Sequence, residues 1–97
     1  MPILKTLSKK KADEVLFLLK EHEELYFNEI QKGTNLNPSN LTLLLNNLLE
    51  EGFIQKRKEE KDVNLPKAYY SLTELGLMSL IIFEDVKKLE EFKKILE

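Results

Sequence analysis

Short polar side chains recur between positions 39 and 47: Ser39, Asn40, Thr42, Asn46 and Asn47, with Leu43 in their midst. These types suit recognition in a groove. An Asn carboxamide can pair bidentately with adenine in the DNA major groove, Ser and Thr hydroxyls bond bases or phosphates, and an apolar side chain can touch a thymine methyl. The same residues would equally make an ordinary polar helix surface, although such surfaces more often carry Lys and Glu. A second set is basic. Lys56, Arg57, Lys58, Lys61 and Lys67 fall within residues 56–67, and Glu59, Glu60 and Asp62 reduce their sum to +2. A local positive lobe of this kind could face a phosphate backbone. Lys9, Lys10 and Lys11 form a third cluster. At a helix start they would oppose the dipole, so they read as a solvated end or as a phosphate contact.

Catalytic and metal chemistry find little to work with. His22, Glu23 and Glu24 are the only cluster with ligand-type side chains, but adjacent residues on a helix do not converge on one ion. They read as a solvated helix end, and no metal site is expected. Cysteine is absent, which removes a disulfide framework, a thiolate zinc site and a cysteine nucleophile. With one histidine and no Gly-rich phosphate loop, neither an enzyme nor a cofactor is expected. The chain has 97 residues, 42% hydrophobic and 33% charged, as one globular domain spanning 1–97 would. Its net charge of −2 runs against nucleic-acid binding unless the positive charge is local. The longest apolar run, Leu80 to Phe83, is far too short for a bilayer, and no leader is apparent. No membrane partner is expected, and a cytoplasmic location is.

The elements that must position these residues can be laid out from spacing. A helix over 38–51 starts at Asn37, a good cap, with Pro38 in its first turn, and stops before Gly52. At about 100° per residue, Leu41, Leu44, Leu45, Leu48 and Leu49 gather on a core face. Ser39, Asn40, Leu43, Asn46, Asn47 and Glu50 lie opposite, with Thr42 at the edge. Upstream, the pattern predicts a helix over 8–22 with Ser8 as its cap and Ala12, Val15, Leu16 and Leu19 as its core stripe. Phe17 and Leu18 fall off that stripe and need cover from elsewhere. A short helix over 25–32 turns Phe27 and Ile30 inward. Gly33-Thr34-Asn35 forms the turn and Leu36 plugs the core, completing a helix-turn-helix. Residues 1–7 suggest no particular element.

Downstream, strands are predicted over 53–58 and 67–72, joined by a polar loop. Ala68, Tyr70 and Leu72 alternate with Tyr69 and Ser71. Thr73 then caps a helix reaching about Leu96. Leu75, Met78, Ile82, Val86, Leu89 and Leu96 share one broad stripe of it. Leu77, Leu80, Ile81 and Phe83 occupy its other faces, so the first half is apolar nearly all round and must be buried on more than one side. A second copy of the chain is the expected cover, through Leu77, Leu80, Ile81, Phe83, Val86 and Leu89. A larger intrachain core is the alternative. The expected fold is mainly α with a small β-hairpin: a three-helix core plus wing over 8–72, and a dimerisation helix over 73–97.

This order of elements resembles the winged helix-turn-helix transcription regulators of the MarR, PadR and HxlR kind, common in bacteria and archaea. The likeness covers roughly residues 12–77. It rests on LNPSNLTLLLNNLLEEGFI, similar to the family's small-residue helix start and terminal Gly-apolar-Ile, and on YYSLTELGL, similar to its second wing strand running into a capped helix. The resemblance implies a DNA-binding homodimer that sets helix 38–51 into successive major grooves. Ser39, Asn40, Thr42, Leu43, Asn46 and Asn47 would face the bases. Lys56, Arg57, Lys58 and Lys61, in a wing over 53–72, would lie along the phosphates. It also implies a possible small-molecule effector, with Phe17, Tyr69 and Tyr70 as candidate lining, although ordinary core packing is the favoured reading of these aromatics. The chain departs from the pattern at positions 43, 46 and 47, where relatives often carry Arg or Lys, and nothing between Gly33 and Gln55 is basic. Winged helices also act as protein-interaction modules, and that is the alternative function.

Overall fold

A computed structural model describes residues 1–59 and 67–97. Five helices and a three-stranded sheet follow one another as α1 (Pro2–Leu7), α2 (Ala12–His22), β1 (Leu25–Tyr26), α3 (Phe27–Thr34), α4 (Pro38–Glu50), β2 (Ile54–Lys58), β3 (Ala68–Leu72) and α5 (Glu74–Leu96). The mainly helical winged architecture is as expected, with three differences near the N-terminus and in the sheet.

The helix expected over 8–22 begins only at Ala12, and a separate helix, α1, precedes it where no element was expected. Pro2 starts α1, where a missing N–H costs nothing, and Leu7 is buried against the core. Ser8 closes α1 instead of opening α2, its hydroxyl donating to the Lys5 carbonyl at 3.0 Å. The chain then turns through Lys11, whose φ of 65° is left-handed. The three lysines therefore precede α2, and Asp13 and Glu14 occupy its first turn, as the dipole prefers. Lys11 is tied down by an Nζ–H donated to the Thr34 carbonyl at the end of α3.

The second helix expected over 25–32 begins later. Leu25 and Tyr26 are extended and pair with Tyr70 and Tyr69 of β3, so the hairpin gains a third strand in the order β1-β3-β2. Tyr26 N–H donates to the Glu29 carboxylate at 3.1 Å, which starts α3 at Phe27. Asn35 ends it at φ 57°, a conformation Asn tolerates better than most residues. β2 and β3 run antiparallel from the Ile54–Leu72 pair out to Lys58–Ala68.

Helix α4 is held as expected. The Asn37 side chain accepts the Asn40 N–H at 2.8 Å, and Gly52 leaves the helix at φ 84°. Leu41, Leu44, Leu45 and Leu48 are buried with Val15, Leu16, Leu19, Ile30 and Phe53 in one core. Phe17 and Leu18 pack at its edge: Phe17 lies 6.2 Å from the Phe83 ring, and Leu18 lies beside Gly33.

Helix α5 is fixed to this body at one junction. Thr73 caps it, its Oγ1 accepting the Gly76 N–H at 3.1 Å and donating to the Gly52 carbonyl at 2.6 Å. A Cβ on Gly76 would stand 1.9 Å from the Phe53 carbonyl oxygen, so only glycine lets the helix come this close. That contact also sets the rotation of α5. Ser79, Leu80 and Phe83 share a face with Gly76 and turn inward. Leu80 is 3% exposed and belongs to the chain's own core, not to a free intersubunit surface, while Phe83 is half-buried and packs against that core. Leu77, Ile81, Val86 and Leu89 remain exposed. Beyond Phe83 the helix leaves the body, which gives the molecule its 59 Å long axis against 25 and 23 Å.

Candidate nucleic-acid interface

On α4 the face turned away from the core carries Ser39, Asn40, Thr42, Leu43 and Asn46, all exposed, with Asn47 half-buried at its margin. Ser39, Thr42, Leu43 and Asn46 follow the spacing of a single helix face. Leu43 lies near the middle of that face and is 61% exposed. The core leucines behind these residues fix the helix, so the polar groups are presented from a rigid element.

The N-terminal segment brings positive charge to this face. Lys9 and Lys10, in the turn after α1, line a groove of about 270 Å³ with Asn40, Leu43 and Asn47. A neighbouring groove of about 510 Å³ carries Lys5, Lys9 and Asn47 together with Glu51. Lys5 was not among the residues that sequence spacing singled out. Its signal is weak, because six residues with one proline leave α1 hard to recognise.

The wing presents its charges unevenly. Lys56 and Lys58 lie on one face of β2 and Arg57 on the other, as strand alternation requires. Arg57 is already partnered within the chain. Its Nε donates to Glu24 Oε2 and its Nη2 to Glu24 Oε1, both at 3.0 Å, and the guanidinium lies 4.9 Å from the Tyr69 ring centroid. Hydrogen bonding to Arg57 holds the Glu24 carboxyl below the usual carboxylate range, and the same bond raises the guanidinium. Glu24 is thus a strut between the end of α2 and the wing, not a merely solvated residue. Lys67 stands 4.4 Å from the Tyr26 ring centroid, and Tyr26 meets Tyr69 edge-on. Lys56 and Lys58 are exposed, while Lys61 lies outside the described residues.

The aromatics considered as effector lining lie on α2 (Phe17) and β3 (Tyr69 and Tyr70). Phe17 borders a groove of about 520 Å³ between α2 and α5. Tyr69 stacks on the outer side of the sheet, and Tyr70 is buried, which raises its hydroxyl pKa. Among the described residues no group of His, Cys, Asp and Glu is arranged to hold a metal ion, and no helix is long and apolar enough to cross a membrane.

A helix-turn-helix followed by an antiparallel wing and a long terminal helix defines a winged helix-turn-helix protein. Residues 14–63 match the MarR family model. The chain is 45% identical over 87 residues to the protein MJ0944 of Methanocaldococcus jannaschii, covering 90% of this chain and 72% of that one. It is 38% identical over 92 residues to the HTH-type transcriptional regulator MJ0361 of the same organism, covering 95% and 85%. Among solved structures it is similar to Bacillus subtilis PadR in complex with operator DNA, with a TM-score of 0.68 and 26% identity over 79% of this chain and 47% of that one. The chain belongs to the MarR family and has the fold of its transcriptional regulators.

Proposed function

We propose that this chain is a sequence-specific DNA-binding transcription regulator that acts as a homodimer, with α4 in the major groove. The observation that carries the reading is the outer face of α4. Ser39, Asn40, Thr42 and Asn46 stand exposed on one rigid helix, flanked by Lys9 and Lys10 on the α1 side. Base contacts come from the Asn and Ser side chains, and Leu43 meets a thymine methyl. Each bidentate Asn–adenine pair supplies about 1–3 kcal/mol of discrimination. Lys5, Lys9, Lys10, Lys56 and Lys58 take phosphates, which positions the helix without reading sequence. Arg57 acts through Glu24 as a brace for the wing. That PadR is solved on operator DNA supports the same use of a similar winged body here.

The acidic net charge is compatible with this reading because the excess of acid lies elsewhere. Residues 68–97 carry six acids and four lysines, most of them on the part of α5 that leaves the body. Exposed Leu77, Ile81, Val86 and Leu89 on that helix support a second copy as the partner. The exposed Leu43 also favours a second reading, in which α4 docks a protein. Substitution Leu43→Lys separates the two: it strengthens duplex binding in the first and destroys a partner complex in the second.

Selection from a pool of random duplexes tests the proposal. Enrichment of an inverted repeat with half-sites one helical turn apart is the expected result. Recovery of no common sequence would overturn the claim of specific binding, and a single unrepeated site would overturn the dimer.

A further inference from the structure

Past Phe83, α5 runs out from the body, and residues 84–97 are all exposed. Leu89 is 67% exposed and Phe92 58%. At about 100° per residue, the side chains of residues 82–96 within about 60° of the Leu89 direction form a single seam facing away from Gly76 and Leu80. That seam holds exposed Val86, Leu89, Phe92 and Leu96, with Ile82 at its inner end half-buried against the core, and just two charges, Asp85 and Lys93.

The sequence of this seam is a reflection about Leu89. Val86 and Phe92 stand three positions either side of it, and Ile82 and Leu96 stand seven. The charges reflect with opposite sign, Asp85 against Lys93. The outer charges do likewise, Glu84 against Lys94, Lys87 against Glu91 and Lys88 against Glu90. A parallel pair of such helices would set Asp85 on Asp85 and Lys93 on Lys93 at the contact, and like charges there are repulsive. Reversing one helix about Leu89 sets an acid level with a lysine at all four heights and an apolar side chain level with an apolar one.

We infer that two copies of this chain pair along α5 in antiparallel orientation, with the two-fold axis at Leu89 and Asp85 meeting the partner's Lys93 at each end of the seam. The inference rests on the homodimer reading above and adds its orientation and register. It also bears on DNA geometry. Ser79, on the face that packs on the winged body, lies ten positions from Leu89, about 15 Å at 1.5 Å per residue. The two bodies are then held about 30 Å apart along the seam, near the 34–36 Å between successive half-sites.

The chain has no native cysteine, so introduced ones report pairing directly. Two full-length variants, Ile82→Cys and Leu96→Cys, carrying different tags, are mixed and treated with a short bis-maleimide. Cross-linking between the two variants and within neither is expected, because position 82 of each copy lies about 21 Å along the axis from its counterpart. Asp85→Lys, at an exposed position, raises the dimer dissociation constant about tenfold at low salt, and Asp85→Lys with Lys93→Asp restores it. A parallel pair would leave both values unchanged. Cross-linking of Ile82→Cys to itself, or a wild-type dimer with neither cross-link nor charge effect, overturns the register while the homodimer stands. A wild-type chain that sediments as a monomer overturns the homodimer reading, and the register with it.

Discussion

Helices α4 and α5 each give one face to the shared core, and what they leave outside differs in chemistry. On α4 the outer face is made of short hydrogen-bonding side chains around a single leucine. On α5 it includes a seam of large apolar side chains interrupted by one Asp and one Lys. The first face is content in water and can exchange water for base edges reversibly, which suits a surface that must find and leave DNA. The second loses free energy in water for every side chain it exposes, which suits a surface kept covered. On the proposed reading, one body presents two interfaces, and the difference between them separates recognition from assembly.

The sharpest break of that comparison lies on the inner faces. Gly76→Ala would place a methyl against the Phe53 carbonyl, and backbone cannot swing aside as a side chain can. A loss of roughly 3 kcal/mol or more of folding stability is expected from such overpacking, read by denaturant melts. Leu43→Ala, on the outer face of α4, should stay within about 0.5 kcal/mol by the same measurement. Next in size is Leu89→Glu. It should weaken self-association about a hundredfold, roughly 2.7 kcal/mol, while far-UV circular dichroism stays unchanged.

Asn46→Ala should do the reverse. Dimerisation is untouched, while affinity for the selected duplex falls by about 1–3 kcal/mol and base preference relaxes at one position. Replacing Lys56 and Lys58 together should weaken binding to every sequence alike and lower the salt slope by about 1 for each phosphate no longer neutralised. The smallest effect concerns Glu24. Its carboxyl pKa is lowered in the folded chain, so the stability it contributes is present above the ordinary carboxylate range and is lost as pH falls through the lowered value. Glu24→Gln should remove that portion of the acid-side loss in a pH series of thermal melts.

Spacing made α4 legible down to its cap, because thirteen residues with a proline, a capping Asn, four buried leucines and a left-handed Gly leave few alternatives. Thr73 and the long terminal helix were equally plain. The N-terminal helix was not, since six residues carry too little periodicity and the turn at Lys11 has no Gly or Pro to mark it. β1 was hidden for the same reason: two residues become a strand only because Tyr69 and Tyr70 lie beside them. Along α5, periodicity identified an apolar helix but could not say which stripe faces in. Gly76 against the Phe53 carbonyl decides that, and it moves Leu80 and Phe83 into the body. Arg57 looked like one more wing cation, and its partner Glu24, 33 residues away, is a tertiary fact.

The most direct measurement of the central claim is fluorescence anisotropy of a labelled duplex titrated with the full chain at about 50 and 200 mM salt. With ten phosphate contacts, five from each copy, affinity should fall about a hundred-thousandfold between those points, and Lys56→Ala with Lys58→Ala should flatten the fall. Saturable binding that ignores salt, or no binding to the selected duplex at the lower salt, would contradict the account of α4 and the wing as a DNA-binding surface.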